Sequence, residues 1–472
     1  MTNKSLKVVI KTFGCQMNVY DTQVASGILE HQGYEIVHEL DHGAESKDQA
    51  GSSKAMPDVV IMNTCSVREH AEDRVFSRLG VLAKEKKTKP DIMVGLMGCM
   101  VEEHREKLFK RFPHLDFMVG TRNIKDLPGI IDQVREKRTQ VARIKQDGIS
   151  IEYTDQIKRT SPFQAWLPIM TGCNKVCTFC IVPTTRGAEV SMPAREVYRE
   201  ASRLVSEGVK WITLLGQNVN SYKGSTTTDY GPQTTVPSTV DRGPLTSSFP
   251  DLLESLCEIE GLERIAFTTS HPQDATEELY RVIARNPKIS RRFHLPLQSG
   301  SDRILKRMKR LHTYAEYRKK IELMRELIPG VAITTDIITG FSGETPEDHK
   351  ATAEALRELR FDSAYIFKYS LREKTPASKL PDDVSIEEKG KRHTELLDIQ
   401  RVITQEKFDQ HKGETLNVFI EAASPKDPAK LVGHSDTEKK VIFPGEAALA
   451  GQFRKIKIQD CRRETLVGTL VD

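Results

Sequence analysis

Three cysteines within nine residues have the types and spacing that most clearly point to chemistry in this chain. Cys173, Cys177 and Cys180 stand in the segment GCNKVCTFC, and the whole chain of 472 residues contains only eight cysteines. Thiols that cluster outside a small disulfide-rich secreted protein usually bind metal or take part in redox reactions. The segment therefore predicts a redox pair, a zinc site or an iron–sulfur cluster.

The number of thiols favours the cluster. A redox CxxC pair would use Cys177 and Cys180 and would leave Cys173 without a role. Zinc commonly takes four ligands, and neither a second CxxC nor a nearby histidine pair supplies the fourth, so zinc is the weaker alternative. A [4Fe-4S] cubane held by three thiolates leaves one iron free to bind a small chelating molecule. The spacing CxxxCxxC, with the aromatic Phe179 before the last cysteine, resembles the radical S-adenosylmethionine signature.

Three further cysteines follow apolar runs near the start of the chain. Cys15 follows LKVVIKTFG, Cys65 follows PDVVIMNT, and Cys99 follows DIMVGLMG. Apolar runs that alternate with amphipathic, charged stretches predict parallel strands joined by helices, in a doubly wound open sheet. The carboxyl ends of such strands lie at one edge, where ligands bind, so we expect the three thiols to meet. The ordinary alternative is a small buried residue at each strand end.

A second alternation of strands and helices occupies the middle of the chain. Six βα units predict an incomplete (β/α)6 barrel, with the GCNKVCTFC segment following its first strand. Thr313 with Glu316, and Thr345 before Pro346, mark helix starts. The six strand candidates are AWLPIMTG, WITLLG, ERIAFTTS, RFHLPLQ, VAITTDIITG and SAYIFKYS.

Polar residues at these strand ends are candidates for binding a nucleoside and an amino acid moiety. Each one alone is more often an ordinary polar strand end. Their occurrence together around one barrel mouth strengthens the case for a binding role. With Phe179, the cofactor-binding candidates are Gly216, Gln217, Asn218, Ser270, Gln298 and Asp336. Cys257, on an apolar helical stripe, and Cys461, in a strand, are interpreted as packing residues.

The end of the chain changes to short alternating strands with glycine turns, which predict a small all-β barrel. We therefore expect a first domain at 1–135, a linker at 136–160, the partial barrel at 161–395 and the small barrel at 400–472. A Ser/Thr/Gly/Pro-rich insertion at 221–249 is expected to be a surface loop.

Composition narrows the class of protein. Charged residues make up 29% and hydrophobic residues 38% of the chain, a balance typical of soluble globular proteins. Neither a signal peptide nor an apolar run long enough to span a membrane is present, so we expect a cytoplasmic location. The net charge of +4 does not by itself indicate a nucleic-acid partner. Local basic clusters do occur, with nine Lys/Arg against two Glu between 303 and 325.

Long motifs extend over nearly the whole chain and resemble the radical S-adenosylmethionine methylthiotransferases. The insertion at 221–249 is longer than that family's pattern leads us to expect, and the sixty C-terminal residues carry no net charge. The motifs are GCQMNVYD, NTCSVREHAEDRVFSRLG, MGCM, TGCNKVCTFCIVPTTRG, LLGQNVNSY, FTTSHP, FHLPLQSGSDRILKRM and ITGFSGETPED.

The resemblance implies two [4Fe-4S] clusters. Cys15, Cys65 and Cys99 would hold one, and the catalytic cysteines Cys173, Cys177 and Cys180 would hold the other. It implies S-adenosylmethionine as methyl donor and radical source, an external flavodoxin- or ferredoxin-like electron donor, and a cluster or sulfur donor. It also implies that the C-terminal barrel is a TRAM module that binds tRNA. Local cations for that contact are Arg454, Lys455, Lys457, Arg462 and Arg463.

The expected reaction adds a methylthio group to C2 of a dimethylallyl-substituted adenosine beside the anticodon of a tRNA. The base would have to leave its stack to react, as enzymes acting on a base generally require. Within the same family, threonylcarbamoyladenosine in tRNA or a ribosomal-protein aspartate is the alternative substrate. A non-catalytic, zinc-containing RNA-binding protein is the alternative of another class.

Overall fold

The computed structural model describes residues 5–37, 57–66, 69–144, 153–224 and 248–471, so most of the predicted insertion at 221–249 lies outside the described residues. The chain divides into two compact units. The first contains Met1–Thr160, Thr171–Asn174 and Cys180–Val190, and the second contains Ser161–Met170, Lys175–Phe179 and Ser191–Asp472.

The first unit is built on an open, parallel sheet. Its strands are β1 (Lys7–Phe13), β2 (Glu35–Ile36), β3 (Val59–Thr64), β4 (Met93–Gly98), β5 (Phe117–Val119) and β6 (Val141–Arg143). Its helices are α1 (Gln16–His31), α2 (Glu69–Thr88), α3 (Cys99–His104), α4 (Lys107–Arg111) and α5 (Leu127–Lys137). The strand order is β2-β1-β3-β4-β5-β6, and all five pairings are parallel.

Helices cover both faces of this sheet. Every residue of β3 and β4 is buried, which explains why these strands read as continuous apolar runs. Alternate residues enter opposite cores: Val59 and Ile61 pack with α1 and α5, whereas Val60 and Met62 pack with α2 and α3. The predicted doubly wound sheet is confirmed.

The second unit begins with a partial barrel. Its first strand is β7 (Gln164–Pro168). The chain then forms β8 (Met170–Thr171), α6 (Val182–Thr185) and β9 (Val190–Ser191); α6 belongs to the first unit, and β8 and β9 each span a boundary between the two units. The remaining elements are α7 (Ala194–Ser206), β10 (Trp211–Leu215), α8 (Phe249–Cys257), β11 (Arg264–Phe267), α9 (Glu277–Arg285), β12 (Arg292–His294), α10 (Asp302–Arg307), α11 (Tyr314–Leu327), β13 (Ala332–Thr339), α12 (Pro346–Leu359), β14 (Ser363–Lys368) and α13 (Ile386–Asp409).

Six parallel strands form the wall of this barrel. Sheets β11-β10-β7 and β12-β13-β14 are joined by a parallel bridge between Ile265 and Ile289. All six predicted strands are present. The predicted helix starts are confirmed too, because Thr313 caps α11 in a capping box and Thr345 caps α12.

A closed five-stranded barrel completes the second unit. Its strands are β15 (Thr415–Ser424), β16 (Asp427–Ser435), β17 (Lys440–Pro444), β18 (Phe453–Cys461) and β19 (Leu466–Leu470). This small barrel packs against the amino ends of the partial barrel's strands. Arg264, the first residue of β11, pairs with Asp436 and lies 5.7 Å from the Trp211 ring centroid. Lys439 Nζ lies 2.8 Å from the Asp362 carboxylate, with both side chains largely buried.

Two predicted boundaries fall within regular structure. The expected linker at 136–160 contains the end of α5 and the edge strand β6, which at three residues is too short to show an alternating pattern. Position 400 lies inside α13. Among the helices that the structure describes, none combines the length and apolar character needed to cross a bilayer.

Candidate functional site

Cys15, Cys65 and Cys99 all follow the carboxyl ends of neighbouring strands. Phe13 of β1 pairs with Thr64 of β3, and Thr64 pairs with Gly98 of β4, so the three cysteines leave the sheet at one edge. The side chains of Cys15 and Cys65 are hydrogen-bonded to each other, and Cys99 is close enough for its pKa to respond to the charge of Cys15. The structure thus brings the predicted trio together.

Glycines permit the close approach of these cysteines. A Cβ on Gly14 would lie 2.3 Å from Asn18 Oδ1 and 2.7 Å from Cys65 Cβ. Gly98 has a φ of +98°, and a Cβ there would lie 2.5 Å from the Thr64 carbonyl oxygen. Only glycine fits such positions without displacing the backbone.

Two buried asparagines form a hydrogen-bond network at this edge of the sheet. Asn18 Oδ1 accepts hydrogen bonds from the Cys15 amide at 3.2 Å and from its thiol at 3.4 Å. Asn18 Nδ2 donates to Asn63 Oδ1 at 3.0 Å and to the Thr64 carbonyl at 3.1 Å, and Asn63 Nδ2 donates back to the Asn18 carbonyl at 2.7 Å. This network fixes the backbone from which Cys15 and Cys65 project.

Arg186 places a buried positive charge beside these thiols. Its guanidinium donates to Asp21 Oδ2 at 2.8 Å and is also hydrogen-bonded to Cys99. A hydrogen bond from Cys65, aided by Arg186 and opposed by burial, lowers the pKa of the Cys15 thiol to about 6. Burial raises the pKa of Cys99, and Arg186 opposes that rise. The charge of Arg186 therefore favours thiolates at this edge.

The GCNKVCTFC segment is anchored differently in each unit. In the first unit, the Cys173 amide donates to the Gly187 carbonyl at 3.2 Å. Gly172 has a φ of +74°, and a Cβ there would lie 1.9 Å from the Ala188 carbonyl oxygen. This is the third glycine–cysteine pair in the chain at which a side chain on the glycine would collide with its surroundings.

In the second unit, residues 177–179 are held by the segment around the end of α10. The Thr178 amide donates to the Met308 carbonyl at 3.0 Å, and its hydroxyl donates to the Arg307 carbonyl at 3.0 Å. Phe179, predicted to contact the cofactor, is partly buried and packs against a core that contains Ile304 and Met308. Its side chain thus secures the loop through hydrophobic packing.

Most of the predicted polar residues follow the carboxyl ends of the partial barrel's strands. Gly216, Gln217 and Asn218 follow β10, Ser270 follows β11, and Gln298 follows β12. Asp336 lies within β13, where Oδ2 is 3.4 Å from His294 Nε2. Gln298 and Thr269, which precedes Ser270, adopt left-handed backbone conformations with φ of 75° and 63°. Such strain in non-glycine residues tends to occur at functional sites.

Several buried polar atoms at these strand ends, and in the segment between α10 and α11, lack a hydrogen-bond partner among the described residues. Buried polar groups are normally paired, so a concentration of orphans indicates where a polar ligand or water binds. Two of the side chains involved are histidines that the sequence analysis did not single out. The atoms are Asn218 Oδ1, Ser270 Oγ, His271 Nε2, Gln298 Oε1, Arg310 Nε, His312 Nε2 and Thr339 Oγ1.

Three family models match successive parts of the chain. The Radical SAM superfamily matches residues 167–356, the Uncharacterized protein family UPF0004 matches residues 7–120, and the TRAM domain matches residues 409–471. Proteins named tRNA-2-methylthio-N(6)-dimethylallyladenosine synthase are similar over the full length. The relative from Carboxydothermus hydrogenoformans is 39% identical, covering 100% of both chains. The relative from Dictyoglomus thermophilum is 41% identical, covering 98% of each.

The chain belongs to the tRNA-2-methylthio-N(6)-dimethylallyladenosine synthase family. Its fold is also similar to that of a solved radical S-adenosylmethionine methyltransferase, TsrM, from Kitasatospora setae. That similarity has a TM-score of 0.50 at 13% identity and covers 89% of this chain and 79% of the other. Membership of the synthase family makes the chain a radical S-adenosylmethionine enzyme, which implies a [4Fe-4S] cluster and S-adenosylmethionine. The alternative of a non-catalytic, zinc-containing RNA-binding protein is therefore not supported.

In this synthase family member, the basic segment 303–325 is mostly occupied by internal contacts. Three of its nine cations, Lys306, Lys309 and Lys319, are exposed with no ion pair among the described residues. The other six cations make contacts within the second unit. Few cations of the segment are therefore left to bind phosphates. These are Arg303 with Asp348, Arg307 with Ser342, Arg310 with Cys177 and Pro296, Arg318 with Glu358, Lys320 with Ala275, and Arg325 with Arg360.

The two remaining cysteines lie away from both trios in sequence and topology. Cys257 ends α8, and burial raises the pKa of its thiol to about 11. Cys461 is buried at the end of β18 in the core of the small barrel. Both locations fit the interpretation of these cysteines as packing residues.

Proposed function

We propose that this protein is a tRNA methylthiotransferase that converts N6-dimethylallyl(isopentenyl)adenosine at position 37, next to the anticodon, into its 2-methylthio derivative. The observation that carries the proposal is the full-length similarity, at 39–41% identity, to relatives named for that synthesis. All three regions of the chain take part in the match. A tRNA substrate and a cytoplasmic location follow from the same proposal.

The proposed cofactors are two [4Fe-4S] clusters and S-adenosylmethionine. Cys15, Cys65 and Cys99 would hold the auxiliary cluster, and Cys173, Cys177 and Cys180 would hold the cluster that binds S-adenosylmethionine. Thiolate donors suit iron–sulfur clusters, and the tight glycine positions at Gly98 and Gly172 support a packed ligand arrangement at each.

The bound cofactors would supply a carbon radical for the adenine C2 position, whose hydrogen no side chain could remove as a proton, together with the sulfur and methyl group to be inserted. The residues of this chain have supporting roles. Asn18 and Asn63 hold the Cys15 and Cys65 backbone in place. Asn218, Ser270 and Gln298 offer buried polar atoms to S-adenosylmethionine, each with unused hydrogen-bonding capacity.

Two kinds of partner belong to the proposal besides tRNA. An external flavodoxin- or ferredoxin-like protein would provide electrons, and a cluster or sulfur donor would restore the sulfur consumed. The C-terminal barrel would contact tRNA through its exposed cations. Lys455 and Lys457 on β18 are the clearest candidates, because Arg454 and Arg462 already contact Gln452 and Asp460.

The test is nucleoside mass spectrometry of tRNA from a strain that lacks this protein, complemented with variants. The wild-type chain should restore the 2-methylthio nucleoside, and Cys177→Ala and Cys65→Ala should not. Cys257→Ala is the matched control and should restore it fully. Anaerobically prepared wild-type protein should contain about eight irons per chain, from two cubanes. Unchanged methylthio content in the deletion strain would disprove the tRNA assignment.

A further inference from the structure

Arg310 lies in the basic segment 303–325, yet the residue is only 4% exposed. The guanidinium Nη1 lies 3.3 Å from Cys177 Sγ, and Nη2 donates to the Pro296 carbonyl at 2.8 Å. Among the described residues, Nε is buried without a hydrogen-bond partner. A long cationic side chain has thus been directed inward, at a thiol, from a segment in which its neighbours Lys309 and Leu311 are exposed.

The backbone is shaped to place this side chain. Lys309 and Leu311, on either side of Arg310, both adopt left-handed conformations, with φ of 54° and 57°. Each such residue costs about 1 kcal/mol or more, so two of them within three residues persist only where the surroundings enforce them. The same segment holds the cysteine loop directly, because Met308 and Arg307 accept the hydrogen bonds of Thr178.

The charge of Arg310 also acts on two buried histidines. The rings of His271 and His312 lie 6.3 Å apart. Burial, followed by the charge of Arg310, lowers the pKa of His312 to about 4 and lowers that of His271 further. His312 Nδ1 donates to the Arg310 carbonyl at 2.9 Å, and His271 Nδ1 accepts from the Gln273 amide at 3.2 Å. Both histidines are therefore neutral at physiological pH.

We propose that Arg310 is a positioning residue that orients Cys177 and raises the reduction potential of the cluster that Cys177 helps to hold. Hydrogen bonds to cluster sulfurs and nearby net charge are two of the protein's means of setting such potentials. A buried guanidinium provides both at once. The step it favours is a one-electron reduction of the cluster by an external low-potential donor, in which no covalent bond forms or breaks and no proton moves.

The inference rests on the proposed assignment of Cys177 as a cluster ligand. The test uses reconstituted full-length protein and follows, by electron paramagnetic resonance, the signal that changes when S-adenosylmethionine is added. At the wild-type midpoint potential, Arg310→Gln should lower the ratio of reduced to oxidised cluster at least tenfold, a shift of about 59 mV for one electron. Arg310→Lys keeps the charge and should lower the ratio less than threefold. Iron content should be unchanged in both.

Lys306→Gln is the matched control, since it removes an exposed positive charge from α10 and should leave the ratio within twofold of wild type. An Arg310→Gln protein with full iron and an unchanged ratio of reduced to oxidised cluster would overturn the proposal. Loss of iron from both Arg310 variants, or an equal change of the ratio in Arg310→Lys and Arg310→Gln, would overturn it too. Cys177→Ala tests the ligand assignment separately: persistence of the S-adenosylmethionine-sensitive signal there would contradict the proposed function itself.

Discussion

Arg186 and Asp21 form an ion pair that is buried on both sides, with side chains 5% and 7% exposed and a separation of 2.8 Å. Asp21 lies on α1, six residues beyond Cys15, and Arg186 lies six residues beyond Cys180. A residue from the segment that carries Cys180 thus contributes the positive charge beside Cys15 and Cys99. Because of this pair, the stability of the first unit depends on residues 180–190 as well as on its sheet.

Asp21→Asn should destabilise the first unit by about 3–5 kcal/mol, because it leaves the Arg186 guanidinium buried without a countercharge. Hydrogen exchange measured by mass spectrometry should show faster exchange in α1 and β3. Glu30→Gln is the control, since Glu30 pairs with Lys158 at the surface of the same unit and its loss should cost under about 1 kcal/mol. Equal effects of the two substitutions would contradict the special role of the buried pair.

Gly98→Ala should prevent full loading of the proposed auxiliary cluster. The added Cβ combines an unfavourable φ with a 2.5 Å contact to the Thr64 carbonyl, and the resulting shift moves Cys99 away from its neighbours. Iron per chain should fall from about eight to about four, while the S-adenosylmethionine-sensitive signal remains. Gly80→Ala in α2 adds a Cβ that meets no atom within 4 Å, so it should keep all the iron and stabilise the helix by up to about 1 kcal/mol.

Periodic patterns in the sequence predicted the architecture because each pattern depends only on residues that are close together in the chain. The buried runs of β3 and β4, the six βα units and the alternating strands of the small barrel all follow from which faces of an element are covered. The convergence of Cys15, Cys65 and Cys99 could be predicted for the same reason, since parallel strands end at one edge.

Residues that act through a distant partner could not be predicted in this way. Arg186 contacts Asp21 across 165 positions, and Arg310 contacts Cys177 across 133 positions. In the sequence, Arg310 is one of nine cations in a segment that resembles a solvated surface, and only packing distinguishes it from Lys309. The interface of the small barrel was missed likewise, because Arg264 at the start of β11 and Asp436 in the turn after β16 share no sequence pattern.

Asp348→Asn should destabilise the second unit most at neutral pH. Although burial alone would raise the pKa of Asp348, hydrogen bonds from Arg303, Ser301 and Thr345 hold it well below 3.8. A depressed folded-state pKa contributes stability above the unfolded value of about 3.9, and this contribution is lost as pH falls below it. Urea unfolding should show a difference of about 2–3 kcal/mol from wild type at pH 7 that shrinks below about pH 4.

Glu354→Gln provides the control on the same helix. Glu354 pairs with Lys350 at 3.9 Å, and both side chains are more than half exposed. Its removal should change the free energy of unfolding by under about 0.5 kcal/mol at any pH. A constant effect of Asp348→Asn from pH 7 to pH 3 would show that the aspartate acts through packing and not through its charge.

The small barrel should bind tRNA through the phosphate backbone, with little preference for base sequence. Its three phenylalanines are occupied by internal contacts: Phe419 and Phe443 are fully buried, and the partly buried ring of Phe453 packs 5.1 Å from that of Phe419 and lies 5.0 Å from the Arg264 guanidinium carbon. Lys455 and Lys457 are exposed on β18 without an ion pair among the described residues. Phosphate contacts release counterions, so each one steepens the salt dependence of binding.

Replacing both lysines by glutamine should therefore reduce the slope of log affinity against log salt by about 1.5, and anisotropy titrations of labelled tRNA at several salt concentrations would measure it. Lys430→Gln removes a cation of the same barrel that already pairs with Asp427 at 2.8 Å, so its slope should match wild type. Weaker binding with an unchanged slope would mean that β18 supports the barrel's shape and makes no phosphate contact, and the tRNA would then have to be held by other surfaces of the chain.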